Sequence, residues 1–219
     1  NISRFTYIFL KNIQTSMAMK IFDLSMPIDE RTPTFPGDPK QEIKQIATIR
    51  ENGWNEKRLT INSHFSTHID APFHMLEHGK KLTDFPIETF VGDAIVINAK
   101  NQLEIEPNLD EVRKNDIVFF FTGHTKKAYS KDFFRNNPVI TQETAQKLIE
   151  KKIRIVGIDS FTPDNKPFKV HELFFRYNIM IVENLVNLDQ LVGKRFKCYI
   201  LPLKIKDADG APCRVIGIL

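Results

Sequence analysis

Short apolar runs rich in β-branched residues recur along this chain, and they constrain its fold more than any other feature. They fall at residues 94–98 (AIVIN), 116–122 (DIVFFFT), 153–158 (IRIVGI), 179–182 (IMIV) and 198–203 (CYILPL), and a further strand-like run opens at 21–24. Runs this short and this continuously apolar predict strands, several of them buried on both faces. Residues 141–152 (TQETAQKLIEKK) predict a helix instead. Thr141 suits the N-cap, Ala145, Leu148 and Ile149 make one apolar face, and Glu143 and Lys147 form an i,i+4 pair. A second, shorter helix is expected over 188–192, stopped by Gly193. Pro33, Pro36, Gly37 and Pro39 punctuate a looping segment near the start. Many strands and few helices predict a single α/β domain with a mixed sheet.

Composition bounds what such a domain can do. The chain has 219 residues, 42% of them apolar, which is ample for one packed core. Phe contributes 18 of these against 1 Trp and 4 Tyr, so the interior is expected to be Phe-rich. Two cysteines, Cys198 and Cys213, cannot make a disulfide framework or a four-thiolate zinc site, which points to a reducing, cytoplasmic setting. Cys213 is expected to be structural. The net charge is +4, and Arg4 and Lys11, with no acid among the first 18 residues, supply +2 of it. No basic run interleaved with aromatics suggests a nucleic-acid partner. Residues 1–20 carry only a short apolar run, FTYIFL, ended by Lys11; this is too short for a signal peptide or a membrane span. We expect an N-terminal extension or flexible arm over 1–18 and the folded domain over 19–219.

The chemistry concentrates in residues 59–75 (LTINSHFSTHIDAPFHM), where His64, His68 and His74, three of the six histidines, flank Asp70. The intervals of four, two and four are all even, so on an extended strand these side chains would share one face, with Leu59, Ile61 and Phe65 opposite. A zinc helix with two His at i and i+4 needs a Glu after the first, and Phe65 stands there. Pro72 also disfavours helix at Ala71. A strand running into a turn is the expectation. Imidazoles and a carboxylate converging on one point suit a borderline divalent ion such as zinc or manganese. Spacing alone does not separate ligands from base. His124, in Thr-Gly-His-Thr, reads as a turn residue and His78 as exposed. No Gly-x-Ser-x-Gly elbow and no phosphate-binding loop is present, which disfavours a serine hydrolase or a nucleotide enzyme.

The segment His64-Phe-Ser-Thr-His68-Ile-Asp70-Ala-Pro72-Phe-His74 resembles the motif of the cyclase family, metal-dependent hydrolases that include bacterial kynurenine formamidases and isatin hydrolase. Ser66 stands where that pattern has Gly. Further stretches are similar to the family: Phe22-Asp23-Leu24-Ser25-Met26-Pro27 with Phe35-Pro36-Gly37-Asp38, Gly157-Ile158-Asp159, His171 with Ile181-Val182-Glu183-Asn184-Leu185, and Pro202-Leu203-Lys204 with Asp209-Gly210-Ala211-Pro212 and Arg214. The resemblance runs from about Lys20 to the C-terminus. It implies a mixed α/β domain with a barrel-like core, a homodimer or larger, and a two-ion site. In that site His64, His68 and Asp70 would hold one ion. Asp70 would bridge to a second ion held by His171 and Glu183, and His74 would be the acid/base residue. Taken alone, His171 reads as a surface histidine on a helix or loop and Glu183 as a solvated strand end.

The activity implied is hydrolysis of a small-molecule amide C–N bond by metal-activated hydroxide. Cleavage of a cyclic amide or lactone, or metal binding without catalysis, are the alternatives. Kynurenine formamidases commonly carry Trp before Pro-Gly-Asp to pack on an aromatic substrate, and Phe35 occupies that place here, still able to stack on a ring.

Overall fold

The computed structural model describes residues 19–219, so the expected extension over 1–18 lies outside the described residues. The strands are β1 (Ile21–Asp23), β2 (Glu42–Ala47), β3 (Glu56–Thr60), β4 (His68–Asp70), β5 (Val91–Asn98), β6 (Glu104–Ile105), β7 (Ile117–Phe121), β8 (Val139–Ile140), β9 (Ile155–Ile158), β10 (Met180–Glu183), β11 (Arg195–Pro202) and β12 (Gly210–Ile218). The α-helices are α1 (Ile49–Asn52), α2 (Gln142–Glu150) and α3 (Lys169–Arg176). A single sheet runs β12-β11-β5-β7-β9-β10-β4, and β4 pairs back onto β12 to close a seven-stranded barrel. β1 is added on β12 beyond the closure. β5, β7, β9 and β10 are mutually parallel, and the other barrel pairings are antiparallel. The mixed sheet and barrel-like core expected above are therefore present.

The reason lies in what each strand buries. β7 (IVFFF), β9 (IVGI) and β10 (MIVE) are buried at every position. Such strands need cover on both sides, which parallel β–α–β units provide. Alternate residues divide accordingly. Ile69, Val96, Phe119, Ile155, Val182, Ile200 and Val215, one from each barrel strand, share the interior cluster. Ile95, Val118, Val156 and Ile181 belong to a second cluster with Leu148 of α2 and Phe174 of α3, on the outer face. Cys198 and Cys213 are buried thiols of β11 and β12, and burial raises the pKa of each.

Thr141 caps α2 as expected, accepting the backbone N–H of Thr144. The expected helix over 188–192 is instead a 3-10 turn, Leu188–Leu191, entered through left-handed Asn187. The five residues between Asn187 and Gly193 are too few to propagate an α-helix against its nucleation cost. Helix α3 was not anticipated: its apolar Val170, Phe174 and Phe175 sit close to charged neighbours, and it starts after left-handed Phe168 with no side-chain cap at that residue.

Gly157 is paired with Phe119 across β9 and β7. A Cβ there would lie 2.6 Å from Phe119 Cδ1 and 2.8 Å from Leu185 Cδ1, both in the barrel interior. Gly157→Ala should cost about 1–3 kcal/mol by overpacking. The check is urea unfolding, with the midpoint falling while the slope is unchanged.

Candidate metal centre

The antiparallel pairing of β4 with β10 places Ile69 opposite Val182 and His68 opposite Glu183. Ile69 and Val182 point into the barrel, so by strand alternation His68, Asp70 and Glu183 face outward, toward the helix-covered side. Helix α3 packs over β10 there and delivers His171. All four side chains are buried. His171 is thus neither a surface residue nor Glu183 a solvated strand end.

The expected continuous strand over 59–75 does not form. Leu59 and Thr60 belong to the end of β3 in the β2–β3 hairpin, and only His68 and Asp70 of the segment's ionisable groups lie on a strand. The interruption is Ser66, at φ 59°, a left-handed conformation that glycine takes without strain. This accounts physically for a Gly in the family pattern at that place. Ser66 is held there by a hydrogen bond from its Oγ to the Met26 carbonyl, while its own carbonyl accepts from Asn184 Nδ2. The bend brings His64 back over the strand, and the 3-10 turn Pro72–His74 presents His74 beside it, with ring centroids 3.9 Å apart.

Two sets of donor atoms result. His64 Nδ1 lies 2.7 Å and His68 Nε2 3.2 Å from Asp70 Oδ1, and His68 Nε2 lies 3.3 Å from Glu183 Oε2. On the other side His171 Nε2 lies 3.3 Å from Glu183 Oε1 and 3.9 Å from Asp70 Oδ2. Asp70 and Glu183 each turn one oxygen to each set. Ligands on a tetrahedral ion with bonds of about 2.0–2.2 Å stand roughly 3.3–3.6 Å apart, so nitrogen and carboxylate donors at these separations can hold two divalent cations. The structure thus brings His64, His68, Asp70, His171 and Glu183 together, with His74 at the rim.

Two carboxylates not singled out from the sequence complete the arrangement. Asp209 Oδ2, just before β12, faces His64 Nε2 at 2.8 Å and His74 Nδ1 at 3.4 Å. Asp164 Oδ1 lies 2.6 Å from His171 Nδ1. Asp209 stood in a recognised closing stretch without a role. Asp164 sits in a loop whose only legible sign was an Asp a few residues ahead of an apolar periodicity. Gly210 matters here too: a Cβ would fall 2.7 Å from His64 Cε1, so only glycine admits the ring.

Charge follows from this packing. Burial works against protonating His64, but the charge of Asp70 and hydrogen bonds to Asp209 and Asp70 outweigh it and raise the pKa to about 9. His171 rises to about 10 despite burial, through Asp164 and Glu183. Asp70 stays far below the ordinary carboxylate range because His68 and His64 overcome its desolvation. The hydrogen bond from His64 is the largest influence holding Asp209 low. His74 goes the other way: burial lowers its pKa, and the neighbouring His64 and His171 add to that against Asp70.

The site opens into a cavity of about 380 Å³, walled by Phe35, Phe134, Phe161, Phe168 and Met75. Phe35 lies edge-on to Phe134, with ring centroids 6.2 Å apart. His124 is outside it; its Nε2 is 2.7 Å from the Phe133 carbonyl beneath the aromatic wall, on a 3-10 turn. His78 is exposed.

Buried histidine and carboxylate donors on a closed mixed barrel, beneath an aromatic cavity, make a candidate metal centre of the kind that metal-dependent hydrolases use. The family described as "Putative cyclase" matches residues 22–165, and this chain belongs to it. The kynurenine formamidase of Bacillus cereus is 32% identical over 199 residues, covering 89% of this chain and 95% of the relative. That of Bacillus mycoides is 33% identical over 200 residues, with the same coverage. Among solved structures, a potential metal-dependent hydrolase with cyclase activity superposes with a TM-score of 0.77 at 27% identity, covering 92% of this chain and 98% of that one. An isatin hydrolase bound to a product analogue, thioisatinate, shares the fold with a TM-score of 0.85 at 22% identity, covering 100% and 99%. Among the described residues no helix is long and apolar enough to cross a membrane.

The raised imidazoles set a pH dependence for chelator-treated protein. Their contribution to stability is fully present below the unfolded pKa of about 6.5, declines above it, and is gone once pH passes the folded values of about 9 and about 10. Thermal melts in chelator should therefore fall steadily from neutral pH to pH ~10. A flat profile over that range would contradict the pairing described.

Proposed function

We propose that this chain hydrolyses the C–N bond of a small aryl amide, of the arylformamide kind, at two divalent ions, zinc or manganese. His64, His68, Asp70 and Glu183 would hold one ion, and Asp70, Glu183 and His171 the other. The observation that carries this reading is the sharing of both Asp70 and Glu183 between two donor sets directly below an aromatic cavity. The likeness to bacterial kynurenine formamidases over nine-tenths of the chain supports the substrate class.

Bound ions of this type supply Lewis acidity toward a carbonyl oxygen and lower the pKa of water from about 15.7 toward about 7. The protein's own groups do the rest. Phe35, with Phe134 and Phe161, offers faces and edges on which a planar ring can pack. His74 Nδ1 faces Asp209, while its Nε2 has no hydrogen bond among the described residues. Burial lowers the pKa of His74 and so favours its neutral form. A neutral imidazole lining the cavity takes the proton released as water adds to the amide carbon. It returns that proton to the nitrogen as the C–N bond breaks, giving a carboxylic acid and an amine.

His74→Ala should retain bound metal and lose about 10²–10⁴-fold in kcat, the usual span for a general acid/base. Metal content by mass spectrometry beside steady-state kinetics decides this; a metal-free variant would make His74 a ligand instead. Asp70→Asn should lose metal outright, because a neutral amide cannot stand between two cations.

The test of the reaction is hydrolysis of N-formylkynurenine by purified protein, before chelation, after it, and with zinc or manganese restored. Chelator-sensitive turnover is the expected result. Metal-replete protein that leaves N-formylkynurenine intact but opens a cyclic amide or lactone would favour the ring-opening reading. No turnover of either would favour a binding protein on this scaffold.

A further inference from the structure

Each imidazole of the centre has a second ring nitrogen, and each of these is held from behind. His68 Nδ1 meets the Ser66 carbonyl at 2.9 Å, and His64 Nε2 meets Asp209 at 2.8 Å. His171 Nδ1 meets Asp164 at 2.6 Å. The last is unlike the others. Asp164 is 5% exposed, and both of its oxygens are spent on the same stretch of chain. Oδ1 accepts from the ring of His171, while Oδ2 accepts the backbone N–H of Val170 at 2.7 Å and of His171 itself at 3.2 Å. One carboxylate therefore clamps the backbone and the ring of a single residue. The loop carrying it is tied down in turn, since Thr162 Oγ1 donates to the Asp164 carbonyl at 2.9 Å.

We propose that Asp164 is a positioning residue for the ion on the His171 side of the centre. By accepting from Nδ1–H it selects the tautomer in which His171 Nε2 is bare, and it fixes the ring so that Nε2 points at Asp70 and Glu183. A carboxylate behind a ligating imidazole also makes that imidazole a stronger donor. The inference rests on the two-ion reading above. The competing account is that Asp164 merely satisfies the free N–H groups at the start of α3.

Two substitutions separate the accounts. Asn, with the length of Asp, keeps an oxygen that can accept from the N–H groups at the start of α3. Asp164→Asn keeps one acceptor oxygen but replaces the other with an amide donor, so the backbone N–H groups and the His171 ring cannot both be served. Asp164→Ser stops at the place of the carboxyl carbon and withdraws the acceptor from both the ring and the backbone N–H groups. The full-length chain and both variants are dialysed against buffers of graded free zinc, and zinc per chain is measured by mass spectrometry. Melting in chelator reports the metal-independent fold.

Wild type should load in two steps. Both variants should take up the first ion as wild type does, bind the second 10–100-fold more weakly, and stay folded in chelator, melting below wild type by the loss of the Asp164–His171 pair. Unchanged loading of both ions would overturn the proposal, as would equal weakening of both. Variants that no longer fold in chelator would assign Asp164 to the helix start alone. Wild type that never holds more than one ion would overturn the two-ion reading itself, a result seen without the variants.

Discussion

The pairing of β4 with β10 is the contact on which the remainder of the molecule turns. Its register sets His68 opposite Glu183, and the two-residue period sends Ile69 and Val182 into the barrel while Asp70 and Glu183 turn outward. A slip of one residue would bury the ionisable groups in the apolar interior and expose the aliphatic ones, so the hydrophobic core enforces the geometry of the centre. Closure by β12 on the other side of β4 adds Gly210 opposite Asp70, the one residue small enough to let His64 fold back over the strand.

The centre so formed alternates four carboxylates, Asp70, Asp164, Glu183 and Asp209, with four imidazoles, His64, His68, His74 and His171. Burial disfavours every charge among them, and each is tolerated only because an opposite charge or a hydrogen bond lies within reach. Such a network is costly to leave half-satisfied, which is why it is carried on barrel strands and a packed helix rather than on loops alone. Among the imidazoles the exceptions are His64 and His74, which approach from a bend and a 3-10 turn at the cavity side, and Asp164 and Asp209 stand on loops beside these elements. Of these four imidazoles His74 alone has its pKa lowered rather than raised.

Much of the strand content was legible because parallel strands buried on both faces must be apolar at every position, as residues 117–121 and 155–158 are. Helix α2 was legible from its cap and its single apolar face. Helix α3 was not: it is short, and the carboxylate that holds its first N–H groups, Asp164, lies five residues before Lys169 rather than at the adjoining position. The even spacing of His64, His68, Asp70 and His74 pointed to one shared face, yet a single left-handed residue, Ser66, breaks the extended run. These groups converge by folding back on one another, which period-two arithmetic does not describe.

The sequence by itself determined the mixed strand-rich class, the cluster around Asp70, and the family to which its motifs are similar, because these depend on residue types at short separations. The resemblance implied that His171 and Glu183 join that cluster, but only the tertiary structure decided that they are buried beside it and that Asp164 and Asp209 stand behind it. Apart from the Asp164–His171 pair, seven residues apart, those encounters span 101 to 145 residues, from Asp70 to His171 and from His64 to Asp209. No local pattern encodes contacts at that range. They exist because barrel closure brings β4 between β10 and β12, and because helix α3 must cover the apolar outer face of the parallel strands.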